Sequence, residues 1–340
     1  MLQPKNMHSG AIRMKQKRFF IVGGAGFIGS HFVDRLLGDP EVPGVTIYDN
    51  FSSGREWHHA HHLRDPRFRV ERGDVKDFGR LKSAMEGHDV VIHLASNPDI
   101  ARAATEPDID FREGTFLTNH VVEAMRLTCA RTILYASGSG IYGDLGETAA
   151  QEDQGPLIPV STYGASKLAG EALISSYSYM FEITGRVFRF GNVVGPHQTH
   201  GVGFDFIRQL LRTPNRLRIL GDGTQSKSYI HVNDVVNAVL AAMERTEAAF
   251  RAYNVATGDY ITVREIAELA VEVVGLRPET VTFEFTGGNR GWKGDVPIVR
   301  LNTDRIRSLG WTCGLKTRDA LRASMQSMLP DARLGRLYAA

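Results

Sequence analysis

Short runs rich in β-branched and aromatic residues alternate along the chain with stretches of helical periodicity. The segments "RFFIVGG", "VTIYDN", "FRVERGD", "VVIHLAS", "TILYAS" and "GRVFRFGN" each read as a strand, with amphipathic helical segments between most neighbours. Strands that are apolar along most of their length are covered on both faces, so the pattern predicts a parallel sheet with helices on either side. After residue 190 the pattern loosens. "HQTHGVG" and "GDGTQSKS" read as polar, glycine-rich loops, "NDVVNAVLAAMERT" as a helix, and "ITVREIAELAVEVVG" as a helix opened by Thr262 and Glu265 in capping-box spacing. The expectation is an α/β chain with a doubly wound parallel sheet over 18–190, joined by a returning segment near 229–257. A smaller C-terminal α/β lobe takes 191–228 and 258–335. The basic opening, 1–17, reads as a disordered tail, and no internal repeat is seen.

With 340 residues, 42% of them hydrophobic, the chain can bury a full core in one large domain or in two lobes sharing a cleft. Its 40 basic and 38 acidic residues are spread along the chain, which leaves no electrostatic footprint for nucleic acid. No run approaches the ~20 apolar residues of a membrane span. The two cysteines, Cys129 and Cys313, lie far apart with no Cys/His cluster, against a disulfide framework or a structural zinc and in keeping with a reducing cytoplasm. The histidines of "WHHAHH", Trp57 to His62, invite a metal. They are adjacent, however, and no nearby carboxylate or cysteine set completes a site, so no metal is expected. His93 and His231 sit in apolar runs and read as packed rather than catalytic.

Two motifs carry chemistry. In "IVGGAGFIGS" the glycines Gly23, Gly26 and Gly29 lie at a strand-to-helix junction, where they let backbone approach a pyrophosphate at the helix N-terminus. Asp49 follows about twenty residues later at the end of the second strand, as a dinucleotide ribose site of the Rossmann type requires. A carboxylate there accepts bonds from a free 2′-hydroxyl and repels a 2′-phosphate, favouring NAD over NADP, although Arg55 works slightly against that. Asp74, closing the third strand, either reaches the adenine edge or caps the next helix. In "STYGASKLAGE", Tyr163 and Lys167 stand four apart on one helical face. A nearby ammonium and an oxidised nicotinamide both favour the phenolate, which makes Tyr163 a candidate general base.

With these motifs, and with "YDNFSSG", "HLAS", "YASGSGIYG", "RFGNVVGP", "GDGTQSKSYIHVNDV" and "YNVATG", the chain from about 18 to about 330 resembles the extended short-chain dehydrogenase/reductases. Among them it is most similar to the NAD-dependent nucleotide-sugar epimerase/dehydratase family. The resemblance implies a Rossmann lobe binding NAD and a second lobe binding a nucleoside-diphosphate sugar, in homodimers formed through the helix that carries the tyrosine and its neighbour. Cofactor contacts would come from Gly23, Gly26, Phe27 and Ile28, from Asp49, Asn50, Ser52 and Gly54, from Asp74 and Val75, from Leu94, Ala95 and Ser96, and from Tyr163 and Lys167. Asn192 matches the family's substrate-contacting asparagine, and Lys227 stands where the family usually has arginine. The later family arginine is replaced within "NRGWKGDVP", where Arg290 or Lys293 would compensate and Trp292 would line the sugar or base pocket.

The resemblance also implies a Ser/Thr hydroxyl shelf beside the tyrosine. Counting back from "IYG", that position falls on Gly138. Ser137 and Ser139 flank it, and the adjoining glycines permit a turn that re-aims one of them, with Ser139 preferred. The alternative is that both serines only satisfy turn backbone. The family's 4,6-dehydratases carry Asp and Glu at the two positions that fall here on Ser139 and Gly140, so dehydration lacks its acid and base. The expected activity is therefore C4 epimerisation of a nucleotide sugar through a transient 4-keto intermediate. A C4 dehydrogenase that releases NADH is the rival reading, and a dehydratase or a non-catalytic dinucleotide sensor stands further off.

Overall fold

A computed structural model describes residues 14–97 and 100–335. The first half runs β1 (Arg18–Val22), α1 (Phe27–Leu37), β2 (Gly44–Asp49), β3 (Phe68–Arg72), α2 (Phe78–Met85), β4 (Val90–His93), α3 (Phe116–Leu127), β5 (Thr132–Gly138), α4 (Thr162–Phe181) and β6 (Thr184–Phe190). The second half runs β7 (Asn192–Val194), α5 (Val202–Arg212), β8 (Arg216–Ile219), β9 (Ser226–Lys227), β10 (Tyr229–His231), α6 (Val232–Arg245) and β11 (Phe250–Val255). It closes with β12 (Ile261–Thr262), α7 (Val263–Val274), β13 (Thr282–Phe285), α8 (Asp304–Arg307) and α9 (Thr317–Arg333).

Seven parallel strands form the central sheet in the order β11-β6-β5-β4-β1-β2-β3. The "FFIV" run of β1 is wholly buried because each face meets helices. Phe19 and Ile21 join the core that holds α1 and α6, while Phe20 and Val22 join the core under α2 and α3. The order of strand addition reverses at β1, with β2 and β3 laid down on one side and β4 onward on the other, and the crevice at the strands' C-terminal ends there is where an open α/β sheet binds ligands.

A third apolar cluster gathers α5, α7 and α9 around Phe206, Ile207, Leu269 and Met325. Small two-stranded sheets, β10-β7, β12-β9 and β13-β8, link this part to the strand ends. The capping box read at α7 is present: Thr262 accepts from the Glu265 amide and Glu265 reaches back to the Thr262 amide. The stretch read as a tail does differ. Residues 1–13 lie outside the described residues, but Met14 is 6% exposed within the core and its amide donates to Glu244. A buried thioether beside α6 gives the chain before β1 an anchor that its basic composition does not show.

Candidate active site

The glycine turn after β1 is shaped by close approach. Gly23 has φ +83°, and a Cβ there would sit 2.8 Å from the Ala95 nitrogen. A Cβ on Gly29 would lie 2.7 Å from the Gly23 carbonyl oxygen, so only glycine lets α1 seat against the turn. The helix begins at Gly26 with no side-chain cap, leaving its first amides unclaimed by protein side chains. That cradle suits an anionic diphosphate.

Asp49, at the end of β2, accepts from the Ala25 amide (2.9 Å) through one oxygen and from the Phe51 amide (2.7 Å) through the other. Burial raises its pKa and the two amide bonds oppose that. Each oxygen keeps a lone pair for a ribose hydroxyl. Asn50, Ser52, Asp74 and Val75 continue the wall, Leu94, Ala95 and Ser96 follow at the end of β4, and the cleft they share holds about 590 Å³. Asp74 does not cap α2. It accepts from the Lys76 amide and the Asn50 side chain, while Asp77 caps the helix by accepting from the Arg80 amide. Gly54 is not part of the wall; a Cβ there would meet Ala25 at 2.7 Å and the Asp49 carboxylate at 3.1 Å, which places it behind the ribose acid.

Helix α4 opens at Ser161, whose hydroxyl accepts from the Gly164 amide, and presents Tyr163 and Lys167 to the same cleft. The Lys167 ammonium donates to the Ala136 carbonyl (2.8 Å) and lies 5.5 Å from the centre of the Tyr163 ring. Burial pushes the Tyr163 phenol up to about 12, a hydrogen bond from the Ser96 hydroxyl opposes this, and Asp110 adds to it. Burial draws Lys167 down to about 8 against the pull of Asp110 and Glu171. The tyrosine ring keeps partial exposure to the cleft, so a bound cation has direct access to its field.

Sequence reasoning missed Asp110 and Glu171. Asp110 is 1% exposed and accepts from Asn97 (2.9 Å) and Thr162 (2.7 Å), which fixes the start of α4 against the end of β4. Its acidic stretch, "EPDID", carries no spacing signal. The sequence reading makes Ser96 only a cofactor contact, whereas the structure turns its hydroxyl to the Tyr163 phenol.

All three shelf positions border the cleft, but their side chains differ in use. β5 runs on through Gly138, and the buried Ser137 hydroxyl donates to Glu171 (2.5 Å). Gly138 contributes no side chain. Ser139 opens the single turn 139–142 and lines the cleft. Beneath the shelf, Glu171 pairs with Arg189 (2.7 Å), which also donates to the Tyr142 hydroxyl and the Glu152 carbonyl.

On the opposite wall stand Asn192, Lys227 and Trp292. Lys227 is not a free cation: Asp295 holds it at 2.6 Å. Arg290 is outside the wall, spanning the Asp144 carboxylate (2.6 Å) and the Asp295 carbonyl, so its part is to hold the 290–295 turn in place. His93 is fully buried against the Thr118 hydroxyl, and His231 caps α6 by accepting from the Asn233 amide. The "WHHAHH" histidines do find a carboxylate, Asp34 of α1, which the spacing of the sequence hides.

Known proteins resemble this arrangement along nearly the whole chain. A UDP-glucose 4-epimerase of Mycolicibacterium smegmatis is 31% identical over 300 residues, 86% of this chain and 93% of its own. A dTDP-glucose 4,6-dehydratase of Streptomyces griseus is 30% identical over 310 residues, 90% and 92% of the two chains. The crystal structure of a UDP-galactose 4-epimerase superposes with a TM-score of 0.82 at 36% identity, covering 92% of this chain and 99% of that one. Residues 19–256 match the NAD dependent epimerase/dehydratase family, and the glycine cradle, the ribose carboxylate and the Tyr/Lys pair fit its cofactor, so this chain is an NAD-using enzyme that belongs to that family.

Proposed function

We propose that the chain epimerises a nucleoside-diphosphate sugar at C4 through a transient 4-keto intermediate. The observation that carries this is a Tyr/Lys pair facing an open shelf with no carboxylate on it: positions 139 and 140 are Ser and Gly. The other acids of the cleft are engaged. Asp49 and Asp74 hold backbone amides, Glu113 pairs with Lys76, and Asp295 pairs with Lys227. None is left to shuttle a proton at the shelf for loss of water.

The glycine turn, the first amides of α1 and Asp49 would hold NAD, with Lys167 and Tyr163 at its nicotinamide end. Bound there, NAD supplies reversible hydride acceptance at the sugar's C4. Tyr163 takes the O4 proton as the phenolate and returns it to the reduced sugar. The Ser96 hydroxyl donates to the phenol oxygen and lowers the cost of deprotonation, and an ammonium on Lys167, 5.5 Å from the ring centre, favours the phenolate by its charge. The Ser139 hydroxyl steadies O4 from the other side.

Inversion requires the keto sugar to turn over inside the cleft, and the two shelf glycines favour that. A Cβ on Gly138 would meet nothing within 4 Å, and on Gly140 only the Gly164 Cα at 3.6 Å, so the pocket floor is wider than a threonine shelf would leave it. Asn192, Lys227 and Trp292 supply the substrate-facing wall. A substrate diphosphate would share Lys227 with Asp295, as a point-charge contact rather than a bidentate one.

Incubation with UDP- and dTDP-hexoses in deuterated water, followed by mass and NMR analysis, tests the proposal. The expected product has unchanged mass, inverted C4 and no solvent deuterium at C4. A product lighter by water would overturn it, as would a keto sugar lighter by two hydrogens with stoichiometric NADH.

A further inference from the structure

The loop between β2 and β3 begins with the cofactor wall residues Asn50 and Ser52 and then passes through two single turns, Glu56–His58 and Ala60–His62, along the flank of α1. At its far end the two neighbouring histidines turn toward one point. His61 Nε2 lies 3.0 Å and His62 Nε2 2.7 Å from the same Asp34 oxygen, with ring centres 4.0 Å apart. Successive side chains on a single turn ordinarily diverge. Here both rings present the same nitrogen to a carboxylate that comes from 27 and 28 positions earlier in the chain. Among the described residues this is the one group of three His, Cys, Asp or Glu side chains whose donor atoms all lie within 4.8 Å of one another.

We propose that Asp34, His61 and His62 form a binding site for a divalent cation of the zinc class, and that the bound ion clamps the ribose loop onto α1. Two imidazoles and one carboxylate are a donor set that suits Zn²⁺, Co²⁺ or Ni²⁺ and disfavours Ca²⁺ or Mg²⁺, which take oxygen ligands. Tetrahedral zinc with bonds of about 2.0–2.1 Å sets its ligand atoms roughly 3.3 Å apart, so the nitrogen–oxygen separations need widen by only about half an ångström. The side chains can make that adjustment: His61 is 56% exposed, Asp34 39% and His62 18%. The ion replaces the two N–H donors now shared on the carboxylate, and the exposed side of His61 leaves a fourth position for water. His31 lies within electrostatic reach of Asp34, and His197 of both Asp34 and His61.

The site is tied to the cofactor through the backbone on both sides. α1 carries the dinucleotide cradle at its N-terminus and Asp34 two turns further on. The loop bonds to the glycine turn at the Ala25 carbonyl, which accepts from the Arg55 amide (3.0 Å) and from His58 Nδ1 (2.9 Å). An ion joining loop to helix therefore favours the arrangement in which Asn50 and Ser52 face the cleft, and by linkage NAD favours the ion.

The test uses tag-free full-length protein stripped with a chelator. Calorimetric titration with ZnCl₂ should show about one equivalent bound, and Co²⁺ should give the absorption of a low-coordinate nitrogen/oxygen site. Asp34→Asn and His62→Gln keep side chains able to hydrogen-bond and should lower the affinity at least about tenfold. NAD titrated with and without Zn²⁺ should bind roughly fivefold tighter with it in the wild type and equally in both variants. Absence of stoichiometric binding would overturn the site, as would unchanged affinity in the variants. Metal binding with no effect on NAD affinity would overturn the clamp. None of these readouts depends on which sugar the enzyme accepts or what it does to it.

Discussion

Tyr163 and Lys167 are four residues apart, yet what each can do depends on neighbours distant in the chain. Tyr163→Phe removes only the proton acceptor, so turnover should fall by about 10²–10⁴-fold while NAD still binds; steady-state assays with parallel NAD titration check this. The base acts as the phenolate, so the rate should rise with pH as the phenol deprotonates. Removing the ammonium raises the phenol pKa, and Lys167→Ala should accordingly move this rise to higher pH and weaken NAD binding. A pH–rate profile with an unshifted limb would contradict that role. Among the serines, Ser139→Ala should lower kcat by about tenfold or more with little change in KM, because its contact tightens as the O4 proton leaves. Ser137→Ala should spare kcat, since its hydroxyl belongs to Glu171. Asp49 gives the cofactor prediction: NAD should bind at least about tenfold tighter than NADP, because a 2′-phosphate would meet a buried carboxylate. Competitive titration measures the ratio.

At the scale of elements, the shelf stands on a buried ion pair. Glu171 of α4 and Arg189 of β6 are 5% and 6% exposed, and Glu171 also accepts from Ser137 of β5, so one charged contact holds together the helix that carries Tyr163 and Lys167 and the strand that carries the shelf. Removing one partner strands a buried charge, and Glu171→Ala should cost about 3–5 kcal/mol. The urea midpoint should drop accordingly, while the double replacement Glu171→Leu with Arg189→Met should cost less than the single change. Local spacing made several element-level features readable. The six strand runs appear as β1 to β6, and the Thr262/Glu265 box caps α7. For Asp74, which closes a strand before a helix, spacing leaves two readings open, the adenine edge or a helix cap; three residues further on Asp77 has the geometry to reach the Arg80 amide, and Asp74 turns to Asn50 at the cleft wall.

For the whole molecule, α3 and α4 leave large apolar side chains outside: Phe116 and Leu127 on the first, Tyr179 and Met180 on the second, with Phe111 just ahead. We propose that these side chains pack against a second copy of the chain, since large exposed apolar side chains on neighbouring helices suit such a contact. The particle mass by light scattering should be twice 37.6 kDa, and Leu127→Asp with Met180→Asp should reduce it to one chain. Among the described residues no helix is long and apolar enough to cross a membrane. The sequence alone determined the strand runs of the sheet, the glycine turn, the strand-end position of Asp49 and the shared face of Tyr163 and Lys167, because each rests on spacings of at most about twenty residues that local geometry converts directly into a shared face or a turn. Tertiary structure alone decided the rest. It gave Ser137 to Glu171, bound Lys227 to Asp295, brought Asp110 to the start of α4, carried the Ser96 hydroxyl to the phenol and set Asp34 beneath two histidines. Each of these is a pairing of polar groups across 27 to 68 residues, and a polar side chain is claimed by whichever partner the packed backbone brings within reach, which no local period in the sequence records.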